Sequence, residues 1–354
     1  MNAKSFSCPA RRAGRQSLRS FLVALVVMCA AVGCDKPQKQ KEQFKFAELP
    51  ISYSAVTHLA DALGYCKQED LNYFTQSVPA GPDVVAALRN TGSSGANAGG
   101  IAVTPVITMI AAGDQPVVLA TTIISDQQVR LVTFANTGIT SDPTTLRGKR
   151  IGVVRNTNGD IYLSRLLKKG GLTEKDVVLV NGRPSDLRNL LLDGSLDAAA
   201  LWDPFVAQAV RMYGQNVAKD ASRNRGEPLL LVDKGLHTLA FNIVTTKAQL
   251  QNRRADLVRL LKAAVAGGQF IDRDKKQSQA MLEKWLDLQS GDLDFFMTTT
   301  QFGVQLDVPQ MKEWMKGELE WLKTSQPDAK VPSDLSSYID GSLLKEVNAA
   351  LVKE

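Results

Sequence analysis

The chain has 354 residues, a length that suits two domains of ordinary size better than one small domain. With 44% hydrophobic and 22% charged residues it has the composition of a globular protein, which excludes a mainly disordered, collagenous or disulfide-scaffold chain. The formal net charge is +6, but residues 1–33 hold five basic residues and no acidic one, so the rest of the chain carries only +1. Such a nearly neutral body gives no reason to expect a nucleic-acid partner.

The first 33 residues have the pattern of an export signal. A basic segment precedes an apolar run from Phe21 to Gly33, and the 13 residues of this run are fewer than the roughly 20 that a membrane-spanning helix needs. The run ends in small residues directly before Cys34, which resembles the lipobox of bacterial lipoprotein signal peptides. We therefore expect residues 1–33 to be a lipoprotein signal peptide and Cys34 to be the lipidation site. Cleavage without lipidation and an uncleaved anchor remain the alternatives.

Residues 34–43 are almost entirely polar and predict a flexible stalk between the lipid and the folded protein. Asp35, directly after the lipidated cysteine, resembles an inner-membrane retention signal, so we expect a protein in the periplasm or at the cell surface, with the inner membrane favoured as its anchor. Of the four cysteines, only Cys66 would remain in the folded part, which excludes a structural disulfide there. Cys66 is predicted to be a small buried hydrophobic residue, and a catalytic thiol is the alternative.

From Phe44 onward, short apolar strands alternate with amphipathic helices, which predicts an α/β fold with mostly parallel sheets. Two stretches share one order of elements, namely a helix, a glycine turn, a strand, a capping residue with a proline, and a second helix. In the first stretch the strand is 100–103 and Thr104 opens the second helix, whereas in the other the strand is 198–202 and Asp203 opens it. This repetition predicts two α/β lobes of similar plan.

Closely spaced strands between these stretches indicate where the chain passes from one lobe to the other. They are predicted at residues 117–122, 129–134 and 148–154. Residues 255–354 carry apolar side chains at helical spacing and predict a largely helical segment. We assign residues 44–125 to the first part of lobe 1, residues 126–244 to lobe 2 and residues 245–354 to the C-terminal helical part of lobe 1.

Three segments resemble the substrate-binding proteins of nitrate, sulfonate and taurine ABC importers, the NMT1/THI5-like family. They are Leu146–Val153, Gly194–Phe205 and Thr104–Gly113, and the resemblance extends over residues 44–270. It implies a type II periplasmic binding protein fold, in which two lobes joined by a hinge close on a small molecule. It also implies an extracytoplasmic monomer that captures a small anionic or polar solute and delivers it to an ABC permease and its ATPase.

Ligands of open α/β sheets bind beyond the carboxyl ends of the strands, where helix N-termini expose N–H groups. Polar or aromatic side chains at such ends, or at the crossover between lobes, form the candidate ligand-binding set: Ser52, Tyr53, Ser54, Thr104, Ser125, Asn156, Thr157, Asn158, Trp202 and Asp203. Thr157 and Asn158 are the strongest candidates for anion binding. The alternative is structural, because these polar residues also suit helix caps and Trp202 suits the core at the end of a strand.

Enzyme signatures are absent from the sequence. It has two histidines, no Cys/His cluster with metal spacing, no Gly-x-Ser-x-Gly elbow and no P-loop. We therefore predict no catalytic residue, no cofactor and no metal. One alternative is a surface lipoprotein that senses a ligand. The other is an enzyme that resembles the thiamin-pyrimidine synthesis proteins, although these need a functional histidine and a cysteine-rich loop.

Overall fold

Two β-sheets organise residues 42–354, the part of the chain that the computed structural model describes. The predicted signal peptide, Cys34 and nearly all of the predicted stalk lie outside the described residues. The strands are β1 (Phe44–Glu48), β2 (Tyr73–Ser77), β3 (Ala98–Ala102), β4 (Pro116–Ser125), β5 (Arg130–Phe134), β6 (Arg150–Val153), β7 (Val178–Asn181), β8 (Ala198–Leu201), β9 (Pro228–Leu231), β10 (Leu239–Thr246), β11 (Gln301–Asp307) and β12 (Val352–Lys353).

Helices cover the faces of both sheets. They are α1 (Ala55–Ala62), α2 (Tyr65–Gln68), α3 (Gly81–Arg89), α4 (Val103–Ala111), α5 (Asn158–Lys169), α6 (Pro184–Leu192), α7 (Phe205–Lys219), α8 (Lys247–Asn252), α9 (Arg254–Arg273), α10 (Lys275–Trp285), α11 (Asp294–Thr299), α12 (Val308–Ser325) and α13 (Ser342–Asn348). Within residues 42–354, no helix combines the length and the apolar character that crossing a bilayer requires.

The two sheets repeat one plan. The larger sheet, which defines lobe 1, has seven strands in the order β2-β1-β3-β10-β4-β11-β12, and the smaller sheet, which defines lobe 2, has five in the order β7-β6-β8-β5-β9. In lobe 1 the parallel strands β2, β1 and β3 are followed by antiparallel β10, and in lobe 2 the parallel strands β7, β6 and β8 are followed by antiparallel β5. Because β3 and β8 occupy the same place in this plan, the repetition in the sequence corresponds to a repetition in topology.

The chain crosses between the sheets twice, at residues 126–129 and again at residues 232–238. The second crossing precedes β10, which pairs with β3 and β4 of the larger sheet. Residues 239–246 therefore lie in lobe 1, whereas the sequence analysis assigned the chain up to residue 244 to lobe 2. The C-terminal part also contributes two strands to the larger sheet, since β11 pairs with β4 and β12 with β11.

The buried strand β3 depends on two glycines that allow close packing. A Cβ atom on Gly99 would lie 2.6 Å from Cγ1 of Val84 and 3.1 Å from the carbonyl oxygen of Ala47. A Cβ atom on Gly100 would lie 2.9 Å from the ring of Phe241 on β10. These contacts explain why a five-residue strand with all its residues buried contains two consecutive glycines.

A pair of glycine substitutions tests this packing. Gly99→Ala should lower the free energy of unfolding by about 1–3 kcal/mol, because the methyl group overpacks the strand against α3 and β1. Gly214→Ala is the matched control, since Gly214 lies within α7 and a Cβ atom there would have no neighbour within 4 Å. It should raise the free energy of unfolding by about 0.5–1 kcal/mol through helix propensity. Urea unfolding measures both changes, and equal effects of the two substitutions would contradict the packing argument.

Candidate functional site

A small cavity lies between the two lobes. Its volume is about 20 Å³, which is room for about one water molecule. Both lobes line it, with Leu49, Ile51, Tyr53, Gly81, Ala102, Pro105 and Phe241 from lobe 1 and Thr157, Asn158 and Trp202 from lobe 2. The lobes are therefore in contact around a nearly filled cleft, and we interpret this arrangement as a closed state.

The cavity lies where the strand order of each sheet creates a crevice. In lobe 1, β1 is flanked by β2 and β3, and in lobe 2, β6 is flanked by β7 and β8. The connections that follow β1 and β3 lead to opposite sides of the larger sheet, and those that follow β6 and β8 do the same in the smaller sheet. Such a divergence opens a gap at the carboxyl ends of the two neighbouring strands. The lining residues follow those ends in both lobes, so the fold brings two such crevices face to face.

Four of the ten predicted ligand-binding residues line the cavity together: Tyr53, Thr157, Asn158 and Trp202. The ring of Tyr53 lies between lobes, with its centroid 6.4 Å from that of Trp202 and 5.8 Å from that of Phe241. Trp202 packs against the start of α5, where a Cβ atom on Gly159 would lie 3.2 Å from the indole ring. The result is an aromatic wall that spans both lobes.

Three polar atoms on this wall have no hydrogen-bond partner. They are the Tyr53 hydroxyl, the Asn158 amide nitrogen and the Trp202 indole nitrogen, on residues that are 2%, 4% and 3% exposed. Burial raises the pKa of Tyr53 well above its usual value, and the nearby Asn158 amide lowers it by less, without a hydrogen bond of normal geometry. A buried donor without a partner is costly. These three groups are therefore positioned to bind an acceptor on a ligand.

Several predicted residues serve the local backbone. Thr157 caps α5 as expected, since its hydroxyl accepts from the Gly159 N–H at 3.2 Å and donates to the Val154 carbonyl oxygen at 2.8 Å. Asn156 adopts a left-handed backbone with φ of 61°, and its N–H donates to the Asp160 carboxylate at 2.9 Å. The Ser54 hydroxyl donates to the Leu49 carbonyl oxygen at 2.8 Å. The bonds of Thr157 and Ser54 account for these two hydroxyl groups without a ligand, whereas Asn156 contributes only its backbone N–H.

Ser52 and Asp203 form a contact between the lobes. The Ser52 hydroxyl donates to the Asp203 carbonyl oxygen at 3.1 Å. The Asp203 carboxylate accepts from the Ala207 N–H of α7 at 3.3 Å and forms a buried ion pair with Arg130 of β5. Burial raises the pKa of Asp203, and the Arg130 guanidinium opposes that rise. Arg130 also lies 4.6 Å from the ring centroid of Phe295 on α11, so it too joins the lobes.

Thr104 and Ser125, the last two of the ten predicted residues, also lie outside the cavity lining. Thr104 was expected to cap α4, but the helix begins at Val103 with Ala102 in the cap position and no side-chain cap bond. The Thr104 hydroxyl instead lies near the Glu318 carboxyl group of α12, where burial raises the pKa of Glu318 and the hydroxyl opposes that rise. Ser125 lies at the end of β4, where its hydroxyl donates to the Thr299 carbonyl oxygen at 2.6 Å. It therefore helps to hold the first crossing between the lobes.

Sequence reasoning did not identify the apolar part of the lining or the partner of Asp203. Phe241 and Ala102 reach the cavity only because β10 pairs beside β3, a contact between distant parts of the chain. Pro105 followed a predicted strand end and could have been selected by that position. Nothing in the local sequence marks Arg130 as the partner of Asp203, since the contact depends on the pairing of β5 with β8.

A second polar contact joins the lobes at their rim. The Arg211 guanidinium of α7 pairs with the Asp292 carboxylate at 2.8 Å and donates to the Asp287 carbonyl oxygen at 3.3 Å. Asp287 and Asp292 lie in the loop between α10 and α11, which belongs to lobe 1. This contact exists only while the lobes are together, so it favours the closed state.

The cysteine and histidines of the described chain have structural surroundings. Cys66 is buried against Ala60 and Ala263, and burial raises the pKa of its thiol to about 12, which keeps the thiol protonated. His58 stacks on Trp285 with 3.6 Å between ring centroids. His237 is buried beside Arg165, and burial lowers its pKa to about 3. Across residues 42–354, no group of three or more His, Cys, Asp or Glu side chains is arranged to hold a metal ion.

Comparison with known proteins identifies the family and the fold. A family model described as NMT1/THI5 like matches residues 52–277. A provisionally named aliphatic sulfonates-binding protein of Escherichia coli (strain K12) is 26% identical over 144 residues, which are 41% of this chain and 44% of that relative. The match thus spans less than half of the length of this relative.

Two solved structures are similar over most of the chain. The alkanesulfonate-binding protein of Xanthomonas axonopodis pv. citri bound to MOPS has a TM-score of 0.69 at 19% identity, with 84% of this chain and 98% of that chain covered. The periplasmic nitrate-binding protein of Synechocystis PCC 6803 has a TM-score of 0.68 at 12% identity, with 87% and 89% covered. At such identities the likeness concerns the fold, and it confirms the predicted periplasmic binding protein fold of two α/β lobes.

Proposed function

This chain belongs to the NMT1/THI5-like family, and we propose on that basis that it is the extracytoplasmic solute-binding component of an ABC importer. Its solved structural neighbours include an alkanesulfonate-binding protein and a nitrate-binding protein. The ligand is a small anionic or polar solute that enters between the lobes while they are apart. Closure then excludes water, and the closed form docks on a membrane permease that works with an ATPase.

The cavity between the lobes is the observation that carries this proposal. Tyr53 comes from lobe 1, whereas Asn158 and Trp202 come from lobe 2, and each presents a buried polar atom without a partner. A ligand touches both sets of groups only when the lobes have closed. Its binding energy therefore favours the closed state over the open one, which is what a capture mechanism requires.

The proposal includes the anchor predicted from the sequence. Cys34 is the proposed lipidation site, and residues 34–43 would tether the folded protein to the membrane, with no enzymatic activity assigned to it. Mass spectrometry of the protein purified from membranes tests this part. An acylated N-terminal Cys34 supports it, whereas a mature N-terminus elsewhere or an unmodified cysteine contradicts it. A neighbouring permease and ATPase gene pair would favour transport over ligand sensing.

Binding is tested by calorimetry of the purified protein against nitrate, alkanesulfonates, taurine, aromatic acids and pyrimidine precursors. The proposal expects at least one member of this panel to bind with a stoichiometry of one. A replacement of Asn158 by leucine should weaken that binding, because it removes the amide that faces the cavity. Absence of binding across the panel would contradict the proposed function.

The rim contact of Arg211 gives a separate prediction about closure. Arg211→Ala should weaken solute binding about 1.4- to fivefold, because an ion pair of this exposure is worth about 0.2–1 kcal/mol and supports only the closed state. Arg147→Ala is the matched control, since Arg147 pairs with Asp176 within lobe 2. Calorimetry with the solute identified in the panel measures both variants. Equal weakening by the two substitutions would show that the Arg211 contact does not favour closure.

A further inference from the structure

Five helices begin at or beside the cavity, and three of them, α3, α5 and α7, have an acidic side chain in or just before their first turn. Asp160 is in the first turn of α5, and Asp203 accepts from the Ala207 N–H of α7. α3 begins at the lining residue Gly81 and has Asp83 in its first turn. The acidic residues thus sit where a bound anion would otherwise interact with the helix dipoles.

The other two helices have an acidic neighbour that lies outside the helix itself. Glu48, at the end of β1, accepts from the Thr57 hydroxyl in the first turn of α1 at 2.9 Å. Glu318 of α12 lies beside Thr104 in the first turn of α4. Glu48, Glu318, Asp160 and Asp203 are all buried, and burial is the main cause that raises the pKa of each.

Asp160 and Asp203, which pair with arginines, offset the positive ends of α5 and α7. Glu318 contributes less, because burial raises its pKa to about 7 and leaves about half of it protonated at pH 7. A helix N-terminus is equivalent to roughly half a positive charge, which favours an anion only where nothing else has neutralised it.

The arginines beside Asp160 and Asp203 do not add a free positive charge, because Arg130 pairs with Asp203 and Arg155 pairs with Asp160 and Glu174. The basic groups near the other two carboxyl groups are His58, 3.6 Å from Glu48, and Arg165, which lowers the pKa of Glu318. At the Tyr53 hydroxyl, the Asp203 carboxylate raises the pKa by more than the Arg130 guanidinium lowers it.

The cavity lining is uncharged and rich in aromatic side chains. It contains no charged side chain, and its walls are the rings of Tyr53, Trp202 and Phe241 with aliphatic groups around them. The unpartnered atoms on it are the Tyr53 hydroxyl and two N–H donors, on Asn158 and Trp202. An anion placed here would lose its hydration without meeting a positive charge, and a cation would meet N–H donors where it needs acceptors.

We infer that the ligand is an uncharged molecule with a flat, aromatic body and a carbonyl or equivalent acceptor, held by the Tyr53, Asn158 and Trp202 donors. This inference rests on the proposed function and selects the polar, uncharged part of the solute class named there. The flat body stacks between Tyr53 and Trp202, which belong to different lobes, and the acceptor receives the indole and amide N–H groups. The ligand-bound form must be less tightly closed than the present structure, because the cavity has a volume of only about 20 Å³ and the Tyr53 and Trp202 ring centroids are 6.4 Å apart.

Three probes of nearly the same shape test the charge preference on the full-length protein. Benzamide is neutral, benzoate is anionic and benzamidine is cationic at pH 7, and calorimetry measures the affinity of each. We expect benzamide to bind at least tenfold more tightly than either charged probe. Tighter binding of benzoate or benzamidine overturns the inference but leaves the proposed function intact.

A tryptophan pair tests the location of the site. Trp202→Phe keeps an aromatic ring and removes the indole N–H, and it should weaken benzamide binding about tenfold, as expected when a ligand acceptor loses a buried donor. Trp321→Phe is the matched control, because the Trp321 indole nitrogen is also buried without a partner but lies on α12, outside the cavity lining. Equal affinities of Trp202→Phe and wild type overturn the assigned site.

The remaining outcomes separate the inference from the proposed function. If benzamide does not bind while nitrate, taurine or an alkanesulfonate binds, the inference fails and the proposed function stands. If neither the three probes nor any member of the complete solute panel binds, both fail. Circular dichroism of each variant accompanies these titrations, so that a loss of binding through unfolding is recognised.

Discussion

Replacing Arg130 with methionine should lower the free energy of unfolding by about 3–5 kcal/mol, the usual cost of leaving one member of a buried ion pair without its partner. The Asp203 carboxylate would keep only its bond from the Ala207 N–H. The contact of the guanidinium with the Phe295 ring would also be lost, which removes a link between the lobes. Urea unfolding at pH 7 measures the change.

The double variant Arg130→Met with Asp203→Asn is the control for this prediction. It removes both charges and leaves a neutral side chain beside Ala207, so it should recover more than half of the stability that the single substitution loses. A double variant as unstable as the sum of its single variants would show that Arg130 acts through packing and not through its charge.

Replacing Glu318 with glutamine should stabilise the protein at pH 8 by about 3 kcal/mol. Burial raises the pKa of Glu318 from 4.5 to about 7, and one pKa unit corresponds to about 1.4 kcal/mol. The folded state therefore favours the protonated side chain. The stability that this group contributes is fully present below pH 4.5 and is lost as the pH rises through about 7. Glutamine is neutral at every pH and avoids that loss.

The measurement compares the unfolding free energies of Glu318→Gln and wild type at pH 5, 6, 7 and 8. The difference should be small at pH 5 and should grow to its full value by pH 8. His237 has the opposite dependence, because burial lowers its pKa from 6.5 to about 3 and its contribution is lost as the pH falls below 6.5. That contribution is common to both proteins and cancels in the difference. A constant difference across these pH values would refute the prediction for Glu318.

The strand ends and their turn residues were predictable because the signals are local. Thr157 has the side chain of a helix cap, and the structure shows it capping α5, the structural alternative that the sequence left open beside ligand binding. Trp202 follows four consecutive buried residues of β8, so its place at a strand end could be read from the run of apolar residues. Placing Tyr53, Asn158 and Trp202 around one cavity needed the further assumption of two lobes with the same plan.

Local sequence patterns could not predict the positions of the acidic groups near the cavity. Glu318 lies on a C-terminal helix whose apolar spacing indicates only a packed face, and its position beside Thr104 depends on how α12 packs against α4. Thr104 itself had a cap-like sequence context, yet its helix starts two residues earlier than a Thr104 cap would place it, and its hydroxyl lies near Glu318. Tertiary packing decided between the two roles, because a buried carboxylate needs a polar neighbour more than the helix needs a side-chain cap.

The charges around the cleft bear on which ligand binds, whereas the fold alone does not decide it. Similar two-lobed structures include an alkanesulfonate-binding protein and a nitrate-binding protein, and alkanesulfonates and nitrate are anions. In this chain, Asp160 and Asp203 occupy the helix N-termini that would suit such anions, and no charged side chain lines the cavity. The shared fold therefore leaves the ligand charge to the residues of the cleft.

The most direct test of solute capture between the lobes is calorimetry of two double variants against the complete solute panel, with benzamide included. Asn158→Leu with Trp202→Phe alters the cavity, whereas Tyr73→Phe with Trp321→Phe removes two buried, unpartnered polar groups outside it. We expect one solute to bind the wild-type chain and the outer double variant with a stoichiometry of one, and the cavity double variant to bind it at least tenfold more weakly. Equal binding by both double variants, or no binding by the wild-type chain, would contradict capture in this cleft.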